Sequence, residues 1–144
     1  TQGWLSQSMV PFIVFLTSCF IAFSTGTFWG TFAIMFPLML PTAFAVEAPL
    51  VVSIGAVLSG GLFGDHCSPI SETTILSSTG SGCHQFEHFR TQLPYALING
   101  GIALCCFIFA GFHPNTYWIF IALLVQIAIL YLCDKTKTLK LKNL

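Results

Sequence analysis

Five apolar runs fill most of this chain, at residues 9–23, 28–46, 48–63, 93–112 and 116–133. A helix needs about 20 apolar residues to cross a bilayer, so the runs allow four or five crossings. Charge is as scarce as that reading requires. Of 144 residues only 7% are charged, against about a quarter in soluble domains, so an ordinary soluble domain is excluded. Five Lys and Arg balance five Asp and Glu. No basic excess is left to neutralise phosphates, and no nucleic-acid partner is expected. Aromatic residues at 15% with so little charge also exclude disorder. The expected fold is all-α: polytopic transmembrane helices with discontinuous or re-entrant segments, in contact with lipid.

The chain opens Thr1-Gln2-Gly3-Trp4 without a signal-peptide pattern, which reads as a portion of a longer chain. Residues 1–133 form the expected membrane domain, and residues 134–144 a basic tail. Four of the five basic residues, Lys135, Lys137, Lys140 and Lys142, lie in that tail. The positive-inside rule therefore puts the C-terminus in the cytoplasm. Arg90 lies two crossings away and so falls on the same side. The six cysteines show no CxxC spacing. Cys19, Cys105, Cys106 and Cys133 sit in apolar runs, where cysteine behaves as a small hydrophobe.

Two interruptions are more informative than the runs. The first is Ser24-Thr25-Gly26-Thr27, rich in hydroxyls and free of charge. A water-exposed turn would tolerate charge. The composition favours one discontinuous helix or a re-entrant pair over two ordinary helices with a short turn. Non-helical backbone at membrane depth needs protein or a cavity around it. The second interruption is Gly60-Gly61-Leu62-Phe63-Gly64-Asp65-His66-Cys67-Ser68-Pro69 and the short stretch beyond it. An apolar run leads directly into Asp65 and His66. Ser68 reads as an N-cap and Pro69 as the first residue of a short helix, with Gly80 and Gly82 at its end. Ser71, Thr74 and Ser78 recur at helical spacing, so one face is a stripe of hydroxyls. Short helices broken by Gly and Pro mark binding sites near the bilayer midplane.

Asp65 and Glu72 are two of only five acids. A charge at the centre of a membrane helix costs about 2.5–3.5 kcal/mol on insertion scales. An intramembrane acid is therefore a functional candidate by default. Hard oxygen ligands suit hard cations. A carboxylate, several hydroxyls and freed carbonyls can make a Na⁺ cage, and burial favours an acid's neutral form, so one cage can alternate between Na⁺ and H⁺. Asp65 leads, with Glu72 second. Ser68, Ser71, Thr73 and Thr74 supply oxygens, Thr25, Gly26 and Thr27 line the site from the first break, and His66 tunes the proton side. The bland alternative is a cytoplasmic loop in which Ser68 and Glu72 only cap a helix.

The block GDHCSPISETTILSSTG at residues 64–80, followed by QLPYAL at 92–97, resembles the signature of the NhaC-type Na⁺/H⁺ antiporter family. AFSTGTFWGTFAIMFPLMLP, residues 22–41, resembles that family's other characteristic block. The resemblance implies a secondary transporter of the bacterial or archaeal inner membrane, moving Na⁺ and H⁺ without a cofactor. It also implies the fold of a wider ion-transporter superfamily, of which this chain would be one half of an inverted repeat, the C-terminal part of a several-fold longer protein. Its partners would be the upstream half and a second copy in a homodimer. Some relatives couple ions to organic acids such as malate and lactate. Two positions depart from the pattern: members often carry Asp where this chain has Glu72, and a small polar residue where it has Phe28.

Other signals are weaker. Cys83, His84 and His88 match no zinc spacing and read as an amphipathic linker with Phe86 and Phe89 in the interface. Glu47 marks a membrane edge. Trp4, Trp29, Tyr95, Tyr117 and Trp118 read as interfacial aromatics, and Asn99 and Gln126 as interhelical hydrogen-bond partners. Three readings compete with a Na⁺/H⁺ exchanger: an exchanger of organic anions or amino acids, an intramembrane metalloenzyme using Asp65, His66 and Cys67, and a scaffold that transports nothing.

Overall fold

A computed structural model describes residues 2–142, with side chains for residues 7–132. Trp4, Cys133 and the tail lysines therefore lie outside the described side chains. Six helices follow one another: α1 (Gln2–Thr25), α2 (Phe28–Ala45), α3 (Leu50–Cys67), α4 (Glu72–Ser81), α5 (Gln85–Phe112) and α6 (Tyr117–Lys142). No strand occurs among the described residues. Four segments are long and apolar enough to cross a membrane: Gln7–Thr25, Phe28–Ala45, Leu50–Cys67 and Gln85–Phe112. The apolar part of α6, Tyr117–Leu132, is shorter. This is a multi-pass membrane protein.

Close contacts fix the helix directions. A Cβ added to Gly60 of α3 would meet the carbonyl oxygen of Phe15 at 2.5 Å, and one added to Gly64 would run into that of Cys19. Residue numbers rise together along both helices, so α1 and α3 lie parallel with backbones in contact. Only a residue without a side chain permits that approach in lipid. Gly61 meets the Phe32 ring, while residues 46–49 join the other ends of α2 and α3. α2 is therefore antiparallel to α3, and so also to α1. The chain reverses at Gly26–Thr27. The composition favours one discontinuous helix or a re-entrant pair here, but the structure forms the other alternative, two helices each long enough to span and joined by a short turn.

Apolar side chains from three helices form the core: Val14 and Phe15 from α1, Met35, Met39 and Ala43 from α2, and Ala56 and Val57 from α3. α5 closes it through Phe107, whose ring lies 5.2 Å from that of Phe15. Among the described residues α6 packs on α5 alone, with Trp118 stacked on Phe109 at 5.3 Å. Its many exposed Ile, Leu and Phe side chains suit a lipid-facing surface.

Three boundaries depart from the sequence reading. α3 continues through Asp65 and His66 to Cys67. The N-cap of the short helix is Ser71, whose Oγ accepts from the Thr74 N–H at 3.4 Å. Ser68 instead ends α3, its N–H donating to the Asp65 carbonyl. A Ser-Pro pair fits a helix start, but Pro69 and Ile70 here form the turn between two helices, and the hydrogen bonds favour the serine three residues on. Finally, residues 85–91 are the first two turns of α5, not a linker. The His84 Nδ1 accepts from the Phe86 N–H at 3.3 Å. A histidine cap is not among the residues that ordinarily signal a helix start.

Candidate ion-binding site

The two interruptions meet. The Glu72 N–H donates to the Gly26 carbonyl at 3.1 Å, and a Cβ on Gly26 would lie 2.6 Å from the Ile70 carbonyl oxygen. Gly26 has φ +68°, a left-handed conformation that glycine adopts without penalty. Both conditions require glycine at the tip of the α1–α2 hairpin. Thr27 follows as the N-cap of α2, and its Oγ1 also donates to Glu72 Oε1 at 3.1 Å.

Asp65 is wholly buried at the end of α3. Two hydroxyls hold its carboxyl group. Ser71 Oγ donates to Oδ1 at 2.9 Å, and Thr73 Oγ1 donates to Oδ2. The same two hydroxyls lie 2.8 Å from one another. Three oxygen-bearing groups thus form a closed ring with three short contacts. Each hydroxyl has one proton to donate. Two hydroxyls leave the third contact without a hydrogen when Asp65 is ionised. One more proton, carried by the Asp65 carboxyl group, completes a ring in which each group donates once and accepts once. Without that proton the carboxylate presents one more lone pair, of the kind a hard cation takes from an oxygen ligand.

Around this ring the hydroxyl stripe is buried as its spacing predicts: Ser71, Thr74 and Ser78 all face inward. Thr74 Oγ1 is buried with no described hydrogen-bond partner. An orphaned buried hydroxyl costs about 1–3 kcal/mol, so it marks a position where an oxygen ligand is available. Ser68 is buried too, and its Oγ accepts from the Ile70 N–H at 3.4 Å.

The remaining sequence candidates occupy different positions. Glu72 is exposed and anchors the hairpin tip instead of entering the ring. His66 points away from the ring. Its Nδ1 bonds to the Leu62 carbonyl oxygen at 2.7 Å, and it lines a cavity of about 310 Å³ between α3 and α5 with Ser59 and Asn99. Thr25 Oγ1 donates to the Ile21 carbonyl at 2.8 Å, within its own helix. Cys83, His84 and His88 form no metal-binding group among the described residues. One contact escaped the sequence reading. Gln85 Nε2 donates to the Pro69 carbonyl at 2.7 Å. No local pattern marks that pairing, because it joins the break to a helix that begins 16 residues later.

A family profile described as the Na⁺/H⁺ antiporter family matches residues 1–112. This chain belongs to the Na⁺/H⁺ antiporter family. Two of the relatives below are named as antiporters, which are transporters and not enzymes. An uncharacterised protein of Haemophilus influenzae is 40% identical over 94% of this chain and 26% of its own length. A malate-2H⁺/Na⁺-lactate antiporter of Bacillus subtilis is 30% identical over 76% of the chain and 27% of its length. An arginine/ornithine antiporter of Halobacterium salinarum is 27% identical over 79% and 27%. The chain thus spans about a quarter of the curated relatives it matches. No solved structure matches it.

Proposed function

We propose that this chain forms the ion-binding part of a secondary Na⁺/H⁺ antiporter, which exchanges cytoplasmic Na⁺ for external H⁺ by alternating access. The observation that carries the reading is the ring of Asp65, Ser71 and Thr73, three oxygen-bearing groups in mutual hydrogen-bond contact around a buried carboxyl group. In the proton-loaded state Asp65 is neutral and the ring is closed. When the proton leaves, the carboxylate and both hydroxyl oxygens become ligands for Na⁺. The carbonyls at the break and the orphaned Thr74 hydroxyl supply further oxygens. The two ions compete for one carboxyl group, so their transport is coupled without any metal or organic cofactor.

Asp65, Ser71 and Thr73 bind the ion directly in this scheme. Ser68 and Thr74 complete the shell, and Gly26, Thr27 and Glu72 position the hairpin tip against it. His66 faces the separate cavity and acts on the proton side. The full transporter resides in the inner membrane of a bacterium or archaeon, with the tail lysines in the cytoplasm. Its other partners are the upstream part of the same protein and a second copy.

A second reading rests on the names of two relatives, a malate-2H⁺/Na⁺-lactate antiporter and an arginine/ornithine antiporter. In it, the same ring binds the coupling ion while an organic solute is exchanged. The discriminating experiment uses the full-length transporter in everted vesicles, following collapse of an imposed pH gradient. Na⁺ alone should collapse it, and Asp65→Asn should abolish the response. A gradient that collapses only when malate, lactate or an amino acid is added favours the second reading. Unchanged Na⁺-dependent exchange in Asp65→Asn would falsify the site.

A further inference from the structure

The break between α3 and α4 has four residues, Ser68 to Ser71, and nearly every hydrogen bond in it is local. The Ser68 N–H returns to Asp65, the Ile70 N–H is satisfied by Ser68 Oγ, and the Ser71 N–H reaches the Ser68 carbonyl at 3.4 Å. Pro69 has no N–H, and its carbonyl takes no backbone partner among the described residues. That carbonyl is held by Gln85 Nε2 at 2.7 Å, the shortest hydrogen bond described for the segment outside the Asp65 ring. Gln85 is the first residue of α5. The contact therefore crosses from the long helix to the apex of the ion-site turn.

We propose that Gln85 is a positioning residue for the ion site. It fixes the Pro69 apex, and the apex fixes Ser71, which is two residues on and donates to Asp65. α4 is a short helix with few neighbours: it packs on α5 and only lightly on α3. Its N-terminal end is held by two distant anchors, Gly26 on one side and Gln85 on the other. Gly26 restrains the backbone at Glu72, after the ring serine. Gln85 restrains the turn before it. With both in place, Ser71 and Thr73 stay in register with the two Asp65 oxygens. Without Gln85, the turn gains freedom and the hydroxyls leave that register for part of the time. Gln85 touches no ion itself, so its removal weakens ion binding more than it slows the movement of a loaded site.

This inference rests on the reading of Asp65 as the ion-binding acid, and the experiment separates the two. The full-length transporter carrying Gln85→Met, Gln85→Glu or Gln85→Lys is compared with Asp65→Asn in everted vesicles. Gln85→Met keeps the length and removes the donor. Gln85→Glu keeps the shape and replaces the donor with an acceptor. Gln85→Lys keeps a donor. Loss of one neutral hydrogen bond corresponds to about a three- to tenfold change in an equilibrium. The expected result is a rise of that size in the Na⁺ concentration for half-maximal exchange in Gln85→Met and Gln85→Glu. The maximal rate should stay within about twofold, and Gln85→Lys should restore the affinity. Na⁺ protection of the purified transporter against thermal unfolding should shift in parallel, reading binding independently of transport. Unchanged Na⁺ dependence in both Met and Glu variants, beside an inactive Asp65→Asn, overturns the role of Gln85 alone. Full activity in Asp65→Asn overturns the ion site itself. If Gln85→Met does not accumulate in the membrane, neutral Gln85→Leu replaces it, because Gln85→Glu and Gln85→Lys differ in charge as well as in the ability to donate.

Discussion

The Glu72 N–H and the Gly26 carbonyl are hydrogen-bonded at 3.1 Å although 46 positions separate the residues in the chain. The bond joins the tip of the α1–α2 hairpin to the start of α4. It makes the two interruptions one structural unit. The oxygen ring around Asp65 is built on that unit, so changes at the hairpin tip should be felt at the acid.

Gly26→Ala should be the most damaging small substitution at this junction. An L-residue at φ +68° costs about 1–2 kcal/mol, and the new Cβ would press on the Ile70 carbonyl oxygen at 2.6 Å. Together these give a loss of about 2–4 kcal/mol. Thermal unfolding of the purified full-length protein in detergent should show it, with Na⁺-dependent exchange lost at the same time. An alanine variant as stable as the parent would show that the tip is not rigidly docked.

Ser71→Ala and Thr73→Val should separate the two hydroxyls of the ring. Ser71 bonds to Asp65 and also caps α4, so its loss should reduce stability by about 1–2 kcal/mol as well as weaken Na⁺ binding. Thr73→Val should weaken binding with less effect on stability, and Thr73→Ser should restore it. The measurement is Na⁺ affinity beside melting temperature for each variant. Equal effects of Ser71→Ala and Thr73→Val on both readouts would contradict this division of roles.

Glu72→Gln should leave exchange largely intact, within about threefold of the parent. The side chain is exposed, and a glutamine oxygen can accept the Thr27 bond as the carboxylate does. Asp65→Asn should reduce exchange by at least two orders of magnitude, because an amide cannot alternate between an anion and a neutral acid. Comparing the two in the same vesicles tests which acid carries the ion. A severe Glu72→Gln defect would move the site toward the hairpin tip.

Glu47→Gly should stabilise the protein. Glu47 has φ 53° in the turn from α2 to α3, and the Ala48 N–H closes back on the Ala43 carbonyl at 2.9 Å. This is a helix end of the kind that favours glycine. Relief of the left-handed strain is worth about 1 kcal/mol. A higher melting temperature with unchanged exchange is the expected outcome, and a loss of exchange would give Glu47 a role beyond the turn.

The crossing helices and the position of Asp65 are legible in the sequence for the same reason. Charge is so unfavourable in an apolar run that its presence marks both the run and its exception. Gly82 was readable as a helix end because left-handed backbone selects glycine. What sequence did not reveal depends on contacts across space. Ser68 and Ser71 are equally good caps by composition, and only the bonds to Asp65 and Thr74 choose between them. His84 hides the start of α5 because histidine is an unusual cap. Asp65 and His66 are neighbours in the chain, but successive residues on a helix point about 100° apart, so one enters the ring and the other a separate cavity. The reversal at Gly26–Thr27 follows from the parallel contact of α1 with α3, which no local signal encodes.

The junction also has an electrostatic consequence. Two helices end there, α1 and α3, and two begin, α2 and α4. Helix C-termini carry about half a negative charge and N-termini about half a positive one. The docked breaks therefore form a quadrupole with nearly no net charge, whose negative corners are stabilising for a cation and whose positive corners are stabilising for a carboxylate. Asp65 adds the buried formal charge within it, and the exposed Glu72 carboxylate lies at its edge. A site of this design changes its total charge by a single unit when a proton or a monovalent cation arrives, and returns to near neutrality either way. In the proposed Na⁺/H⁺ exchange, that equivalence would let the surrounding apolar helices enclose the loaded site with the same ease whichever ion it held.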